Sequence, residues 1–446
     1  MELLGRAPRG AFVVVVRDPA GDPVVIRNDP LLDDGTPMPT RYWLVGGEAR
    51  LAVDRLEAAG GVRAAEAAVD PVQLRAAHTA YAAERDASLP SGWAGPAPSG
   101  GVGGTRRGVK CLHAHYAWYL AGGDDPVGRW VAAQLTPAAA IDCGTNSTRL
   151  LIAHPRGATV ERLNRITRLG AGVDRTGRLA ADAVARTVAV LEEYRRAMDR
   201  HGVVQVRMTA TSAARDAENR DDFFAAAESV IGIRPELLSG EQEGRLSFQG
   251  AVSELDPRSG PWLVVDIGGG STEMVAGSDP DGRAPLAVRS IDVGCVRLTE
   301  RFLTSDPPAV EEVNAARQYV SSLITSAVKE VPGLAAGHAL VGLAGTVATL
   351  AAIDQRVDEY DRDRVHHYVL SLERVERMLA DLAALTSAQR RLVPGVEPDR
   401  ADVIVGGTIV LDEMMRCLGL AECLTSEADI LDGLVLSLSG SPGLDA

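Results

Sequence analysis

Residues 141–152 read IDCGTNSTRLLI and residues 265–276 read VDIGGGSTEMVA, so the chain states one phrase twice. Superposed, Asp142 meets Asp266, Gly144 meets Gly268, Ser147 meets Ser271 and Thr148 meets Thr272. Each copy is an apolar run that ends in Asp, turns through glycine and hydroxyl residues, and resumes as a second apolar run. Such a turn exposes backbone N–H groups with little side chain in the way, which suits a phosphate. The Asp beside it can hold a divalent cation directly or through its waters. Gly144, Thr145, Asn146 and Ser147 would cradle one side of a phosphate chain. Gly268, Gly269, Gly270, Ser271 and Thr272 would cradle the other. Asp142 and Asp266 would share one Mg2+ (or Mn2+), polarising a terminal phosphoryl group. Two unrelated Asp-Gly turns are the plainer alternative, and the matched hydroxyl offsets argue against it.

Those loops need strands to present them and helices to back the strands. After the first phrase the pattern predicts a helix at 180–201, then VVQVRMTATSAAR (203–215) as strand, turn and helix. IRPELLSGEQEGRLSFQGAV (233–252) reads as a short strand, a turn and a helix starting near Glu241. After the second phrase come SIDVGCVRLTERF, a long helix at 309–330, and LVGLAGTVATLAAI. Strands alternating with helices argue for an α/β fold in both halves. Each half opens strand–turn–strand, so its sheet should be mixed. Ahead of them, residues 1–134 read as a separate small α+β domain. It has a hairpin (12–16 and 23–28), a further strand near YWL, and helices at 50–62, 69–87 and about 109–121. Residues 88–105 are a Gly/Pro/Ser-rich loop.

Composition narrows the function classes. A chain of 446 residues is too long for one core. Aromatics are 4%, so the core should be aliphatic. Net charge is −14, which disfavours a nucleic-acid coat binder. A polyanion could bind only through a local cluster of arginines and backbone donors, since Lys110 and Lys329 are the only lysines. Five scattered cysteines without framework spacing suggest reduced thiols and a cytoplasmic protein. The longest apolar stretch, 339–353, is below spanning length, so no membrane partner is expected.

Five segments stand in one order: AAIDCGTNSTRLLI, TATSAARDAEN, LLSGEQEGRLSF, VVDIGGGSTEM and LVGLAGTVATL, with RADVIVGGTIVLDEM (400–414) as a weaker sixth. In this the chain resembles the exopolyphosphatase/guanosine pentaphosphate phosphohydrolase family over roughly residues 138–440. The resemblance implies a two-lobed actin-like ATPase (ribonuclease H-like) core with the active site between lobes. Its first lobe would span 138–260, rejoined by a helix near 427–440, and its second 261–426. The activity implied is hydrolysis of terminal orthophosphate from inorganic polyphosphate or of guanosine pentaphosphate, commonly by a homodimer. In relatives SGEQEGR reads Ser-Gly-x-Glu-Glu-Ala-Arg and its second Glu is the catalytic base, which is Glu243 here. A Glu near a helix start is expected to stay ionised in the dipole field. The first Glu of that pair is Gln242, which removes one negative charge near the site. Glu241 and Glu243 alone would read as solvated acids.

Arg215 matches a phosphate-contacting Arg of relatives, and Arg149 either clamps phosphate or pairs with a surface acid. Arg168, Arg178 and Arg245 are weaker candidates that read equally as ion pairs. Gly345-Thr346 would open a helix with free N–H groups at the family's third glycine segment. The chain ends soon after the core, without the long helical extension of larger exopolyphosphatases, which suggests short polyphosphates. A phosphate-chain or nucleotide sensor is the non-catalytic alternative, and a sugar- or acetate-type kinase would not need SGEQEGR. Residues 1–134 resemble an actinobacterial domain of unknown function. There Cys111 and His115, four apart on a helix, would share a face suited to a soft metal, though two ligands do not make a site.

Overall fold

The computed structural model describes residues 9–154, 159–278, 286–335, 339–357 and 359–438. They form two compact units, one from the chain up to Pro137, the other from Ala138–Ala153 and Thr159–Leu438.

In the first unit, strands Phe12–Arg17, Pro23–Asn28 and Tyr42–Leu44 make an antiparallel sheet. Helix Pro71–Asp86 starts where Pro71 follows Asp70, whose carboxylate accepts from the Val72 N–H. Asp125 and Pro126 open helix Pro126–Leu135 in the same way. The GG at 60–61, expected to stop a helix, separates two. Gly60 takes a left-handed φ of 85° and a second helix, Gly61–Ala68, begins at once. Half of the chain's aromatic residues lie in these first 137 positions, so this core is not simply aliphatic. Tyr81 packs edge-on against Trp118, ring centres 5.2 Å apart.

The second unit holds two mixed sheets. The first runs, in spatial order, Thr159–Ile166, Ser147–Ala153, Ala138–Cys143, Gln205–Ala210 and Glu236–Leu237. The second runs Ala287–Ile291, Thr272–Gly277, Trp262–Ile267, Ala339–Leu343, Glu422–Thr425 and Val369–Ser371. In both, the first three strands are antiparallel and the third pairs in parallel with the next. The order is thus duplicated, as two equivalent lobes require, and the doubled phrase sits at the same place in each. The central strands are buried along their whole length. Their cores are aliphatic, built on Ile141, Leu150, Ile152 and Met208 in one lobe and Val265, Met274, Val320 and Ile409 in the other.

Helix Gly240–Val252 packs against helix Ile430–Leu438, which also covers the first sheet. This crossing needs glycine. A Cβ at Gly250 would lie 1.8 Å from the Asp429 carbonyl oxygen, and one at Gly433 2.1 Å from that of Leu246. Helix Ile430–Leu438 is thereby pinned to the lobe in which the second unit began. Among the described residues, no helix is long and apolar enough to cross a membrane.

Candidate active site

Each glycine turn follows a buried strand that ends in or just after its Asp, and each is closed by the same bond. Gly144 N–H donates to Ser147 O, and Gly268 N–H to Ser271 O, both at 3.0 Å. The loop carbonyls are taken up from behind. Thr145 O accepts from Gly170 N–H, and Asn146 O from Thr167 and Arg168. Gly268 O accepts from Cys295, and Gly269 O from Val296 and Arg297. What each loop can offer forward is therefore amide and hydroxyl groups. The loops meet closely: a Cβ on Gly270 would lie 2.5 Å from Ser212 Oγ, and one on Gly269 2.9 Å from Thr145 Cβ.

Between them lies a recess of about 70 Å³. Asp142, Gly144, Thr145, Asn146, Ser147 and Arg149 line it from the first lobe. Asp266, Gly268, Gly269, Gly270 and Ser271 line it from the second, with Glu243, Gly345 and Thr346 completing it. Two expected residues do not line it. Thr272 is fully buried and its hydroxyl donates to Val293 O at 2.6 Å, because it already belongs to the strand. Arg215 stands behind Glu243 and donates to its carboxylate at 2.7 Å, to Leu238 O at 2.9 Å and to Ser271 Oγ at 3.4 Å.

Arg149 is neither a free clamp nor a surface residue. Its guanidinium donates to Asp142 Oδ2 at 2.7 Å and to Asp429 Oδ2 at 2.5 Å, with the side chain 17% exposed. Arg168 pairs with Asp402 and Arg178 with Glu218, so both are ion-paired away from the recess, and Arg245 does not line it. Gln242 is exposed and spent on the helix start: its N–H donates to Ser239 Oγ and its side-chain oxygen accepts from Ser239 N–H. It is the third member of a capping box, a task Glu performs equally, so the missing charge was never aimed into the recess.

Electrostatics overturn one expectation. Glu243 is not held low by the helix dipole. Burial pushes its carboxyl up to about 7, with Asp142 and Asp266 adding to the rise and Arg215 opposing it. Burial likewise raises Asp266 to about 6, against the pull of Arg149. Asp142 is raised by burial and opposed by Arg149. Glu273, raised well above the usual range by burial and by Glu243 and Asp266, was not anticipated as a site residue. It accepts from Ser290 Oγ at 2.8 Å, and its other oxygen is buried without a partner. Ser247, which donates to Asp266 at 2.7 Å, was also missed, as were Asp429 and Arg400. The signal for Glu273 was available. In the doubled phrase it aligns with Arg149, and each is the cross-strand neighbour of its own Asp. Arg400 opens the weakest of the six segments and lies directly over Gly345, where a Cβ would sit 1.8 Å from its guanidinium.

Strain collects here too. Ala344, beside Gly345 in the recess, has φ 67°, and Arg168, behind the first loop, has φ 51°. Helix Ala344–Asp354 begins straight from strand Ala339–Leu343.

A larger cavity of about 530 Å³ shares Arg149, Ala344, Gly345 and Arg400 with the recess. Ala348, Val357, Val396 and Tyr360 make much of its wall apolar. In the first unit, Cys111 caps its helix in an extended conformation (φ −156°), so it does not share a helical face with His115. His115 Nδ1 instead pairs with Asp125 at 2.7 Å. Among the described residues, no group of three or more His, Cys, Asp or Glu is gathered to hold a metal.

Comparison with known proteins identifies the family. Exopolyphosphatase 2 of Mycobacterium tuberculosis is 46% identical over 322 residues, covering 69% of this chain and 99% of that protein. An exopolyphosphatase-like protein of known structure superposes with a TM-score of 0.65 at 36% identity, over 68% of this chain and 98% of its own. The Aquifex aeolicus Ppx/GppA family member does so at 0.57 and 31%, over 68% and 97%. Residues 14–133 match DUF501, a family of proteins of unknown function. Residues 152–441 match the Ppx/GppA phosphatase family, and the chain belongs to it.

Proposed function

We propose that this phosphatase is an exopolyphosphatase that releases orthophosphate from the end of inorganic polyphosphate, with Glu243 as general base. The observation that carries this reading is the convergence of two equivalent glycine loops, Asp142, Asp266 and Glu243 on one recess. A divalent cation, Mg2+ or Mn2+, fits the donor set. Asp142 Oδ1 is buried without a hydrogen-bond partner. Three buried carboxylates (Asp142, Asp266, Glu273) and the largely sheltered Glu243 stand with two guanidiniums, Arg149 and Arg215. Mg2+ is commonly held by one or two carboxylates and completes its shell with phosphate oxygens and water, so a larger protein cluster is not needed. Asp142 and Asp266 would hold it, and once bound it would neutralise charge on the terminal phosphoryl group.

The protein residues supply the rest. Loop amides and the hydroxyls of Thr145, Ser147 and Ser271 hold the phosphate oxygens. Glu243 takes the proton from a water whose oxygen attacks the terminal phosphorus while the bridging P–O bond breaks. Arg215 fixes the Glu243 carboxylate in place, and Arg149 does the same for Asp142.

The cavity beside the recess supports a second reading. Its apolar wall suits a nucleoside carried on a phosphate chain, as in guanosine pentaphosphate, better than bare polyphosphate. The deciding experiment measures Mg2+-dependent phosphate release from polyphosphates of defined length and from guanosine pentaphosphate. Glu243→Ala should abolish release while leaving polyphosphate binding intact. Near-normal turnover in that variant would sink the mechanism, and no release from either substrate by the parent would favour a sensor.

A further inference from the structure

Resting on the phosphatase reading above, we infer that the charged pairs on the rim behind the phosphate loops form a clasp that sets the spacing of those loops. Arg297 and Asp174 are its central positioning residues. The second loop is bolted to helix Cys295–Phe302, because the N–H groups of Cys295, Val296 and Arg297 donate to the carbonyls of Gly268 and Gly269. That helix also carries Arg297, Glu300 and Arg301. The first loop is bolted to residues 167–170, whose N–H groups bond the carbonyls of Thr145 and Asn146, and that segment continues to Gly172 and Asp174. Whatever joins these two backing segments therefore fixes the distance between the loops.

Seven contacts join them or their neighbours. Arg297 pairs with Asp216, approaches Ser212 Oγ at 3.4 Å and stands 3.6 Å from Asp174. Arg301 takes Asp174 through both of its oxygens. The Gly172 N–H donates to Glu300 at 3.1 Å. Arg168 reaches Asp402 at 3.0 Å and Asp399 O at 3.2 Å. Every one of these contacts links the first lobe to the second. Arg297 is 10% exposed, and Asp292 at 3.9 Å is a further acid facing it. Three acids around one largely sheltered guanidinium make a stronger contact than an isolated surface pair. Behind the loops little space remains: Thr145, Gly270, Asp216 and Arg297 line a pocket of about 10 Å³. The wide cavity shares four residues with the recess. A phosphate chain has room on the cavity side and little behind the loops. The clasp keeps the loops pre-spaced, which lowers the cost of binding.

The test uses the full chain and steady-state phosphate release from polyphosphate of one length. Arg297→Ala should raise KM about tenfold, a change of one decade in effective affinity, with a smaller change in kcat. Arg297→Lys should recover part of that loss. Asp174→Asn should behave like Arg297→Ala, and the double variant should be less than additive because the two share contacts. Hydrogen exchange of the 144–147 and 268–271 amides, read without substrate, should quicken in Arg297→Ala while the first unit is unchanged. An unaltered KM together with unaltered exchange overturns the clasp. If the parent releases no phosphate from any substrate, the phosphatase reading fails, and the exchange result still decides for or against the clasp.

Discussion

At the scale of residues, the site turns on a carboxyl that is hard to ionise. Glu243 sits near 7 in the cation-free protein because burial and two neighbouring Asp side chains outweigh its bond to Arg215. A base must be ionised to act, so kcat/KM should fall toward acid pH, with the limb at or below about 7 because a bound cation offsets the push of Asp142 and Asp266. Removing Arg215 removes the charge that favours ionisation, so Arg215→Ala should move that limb to higher pH in a pH–rate profile. Stability follows the same group. Between its ordinary value of 4.5 and about 7, folded Glu243 holds a proton that the unfolded chain has lost, so this group's contribution declines as pH rises through that window. Glu243→Gln imitates the protonated form. Its melting temperature should match the parent's near pH 4 and exceed it near pH 8. The neighbouring contrast is Arg149 against Glu273, equivalent positions of the doubled phrase. One lobe ties its Asp down with a cation, and the other places an acid beside its Asp.

At the scale of elements, two junctions decide whether that geometry holds. The Ser239–Gln242 capping box sets where helix Gly240–Val252 begins, and hence where Glu243 points. Gln242→Glu keeps both capping bonds and should leave phosphate release essentially unchanged, which a direct assay would check. The second junction is the glycine-to-backbone crossing of helices Gly240–Val252 and Ile430–Leu438. Asp429 and Asp432, at the start of the latter, pair with Arg149 and Arg162 on the first sheet. Gly433→Leu would drive a side chain into the Leu246 carbonyl and force these helices apart. Overpacking of this kind costs about 1–3 kcal/mol, so thermal unfolding should show a clear drop and phosphate release a parallel loss through Asp429 and Arg149.

At the scale of the whole molecule, the chain carries a net charge of −14 and concentrates buried acid in one recess. The folded state therefore crowds together acids that the unfolded chain keeps apart. Mg2+ should raise the melting temperature at pH 7.5 by mass action on the folded form. The gain should shrink near pH 5, where Asp266 and Glu243, raised to about 6 and about 7, keep their protons. Equal stabilisation at both pH values would place the cation elsewhere.

Much of this was legible in the sequence because it depends on local rules. The strand–Asp–glycine turns, the Asp70-Pro71 helix start and the alternation of strand and helix are set by residues a few positions apart, and periodicity reports such spacing directly. The duplicated phrase located the two glycine loops that meet at the recess, and the ordered segments located the family. Side-chain partnership was not legible, because partners such as Arg149 and Asp429, or Arg297 and Asp216, lie far apart along the chain. Arg215 faces Glu243 instead of the recess, Thr272 turns into the strand, and Gln242 turns to its own helix start. Nor could sequence tell that Glu243 would be driven up in pKa: its place near a helix start pointed to easy ionisation, and only burial beside two other acids reversed it. The sequence by itself determined which groups could touch a phosphate chain. The tertiary structure decided which of them line the recess and which hold the others in place, since desolvation and long-range pairing exist only once the lobes are packed.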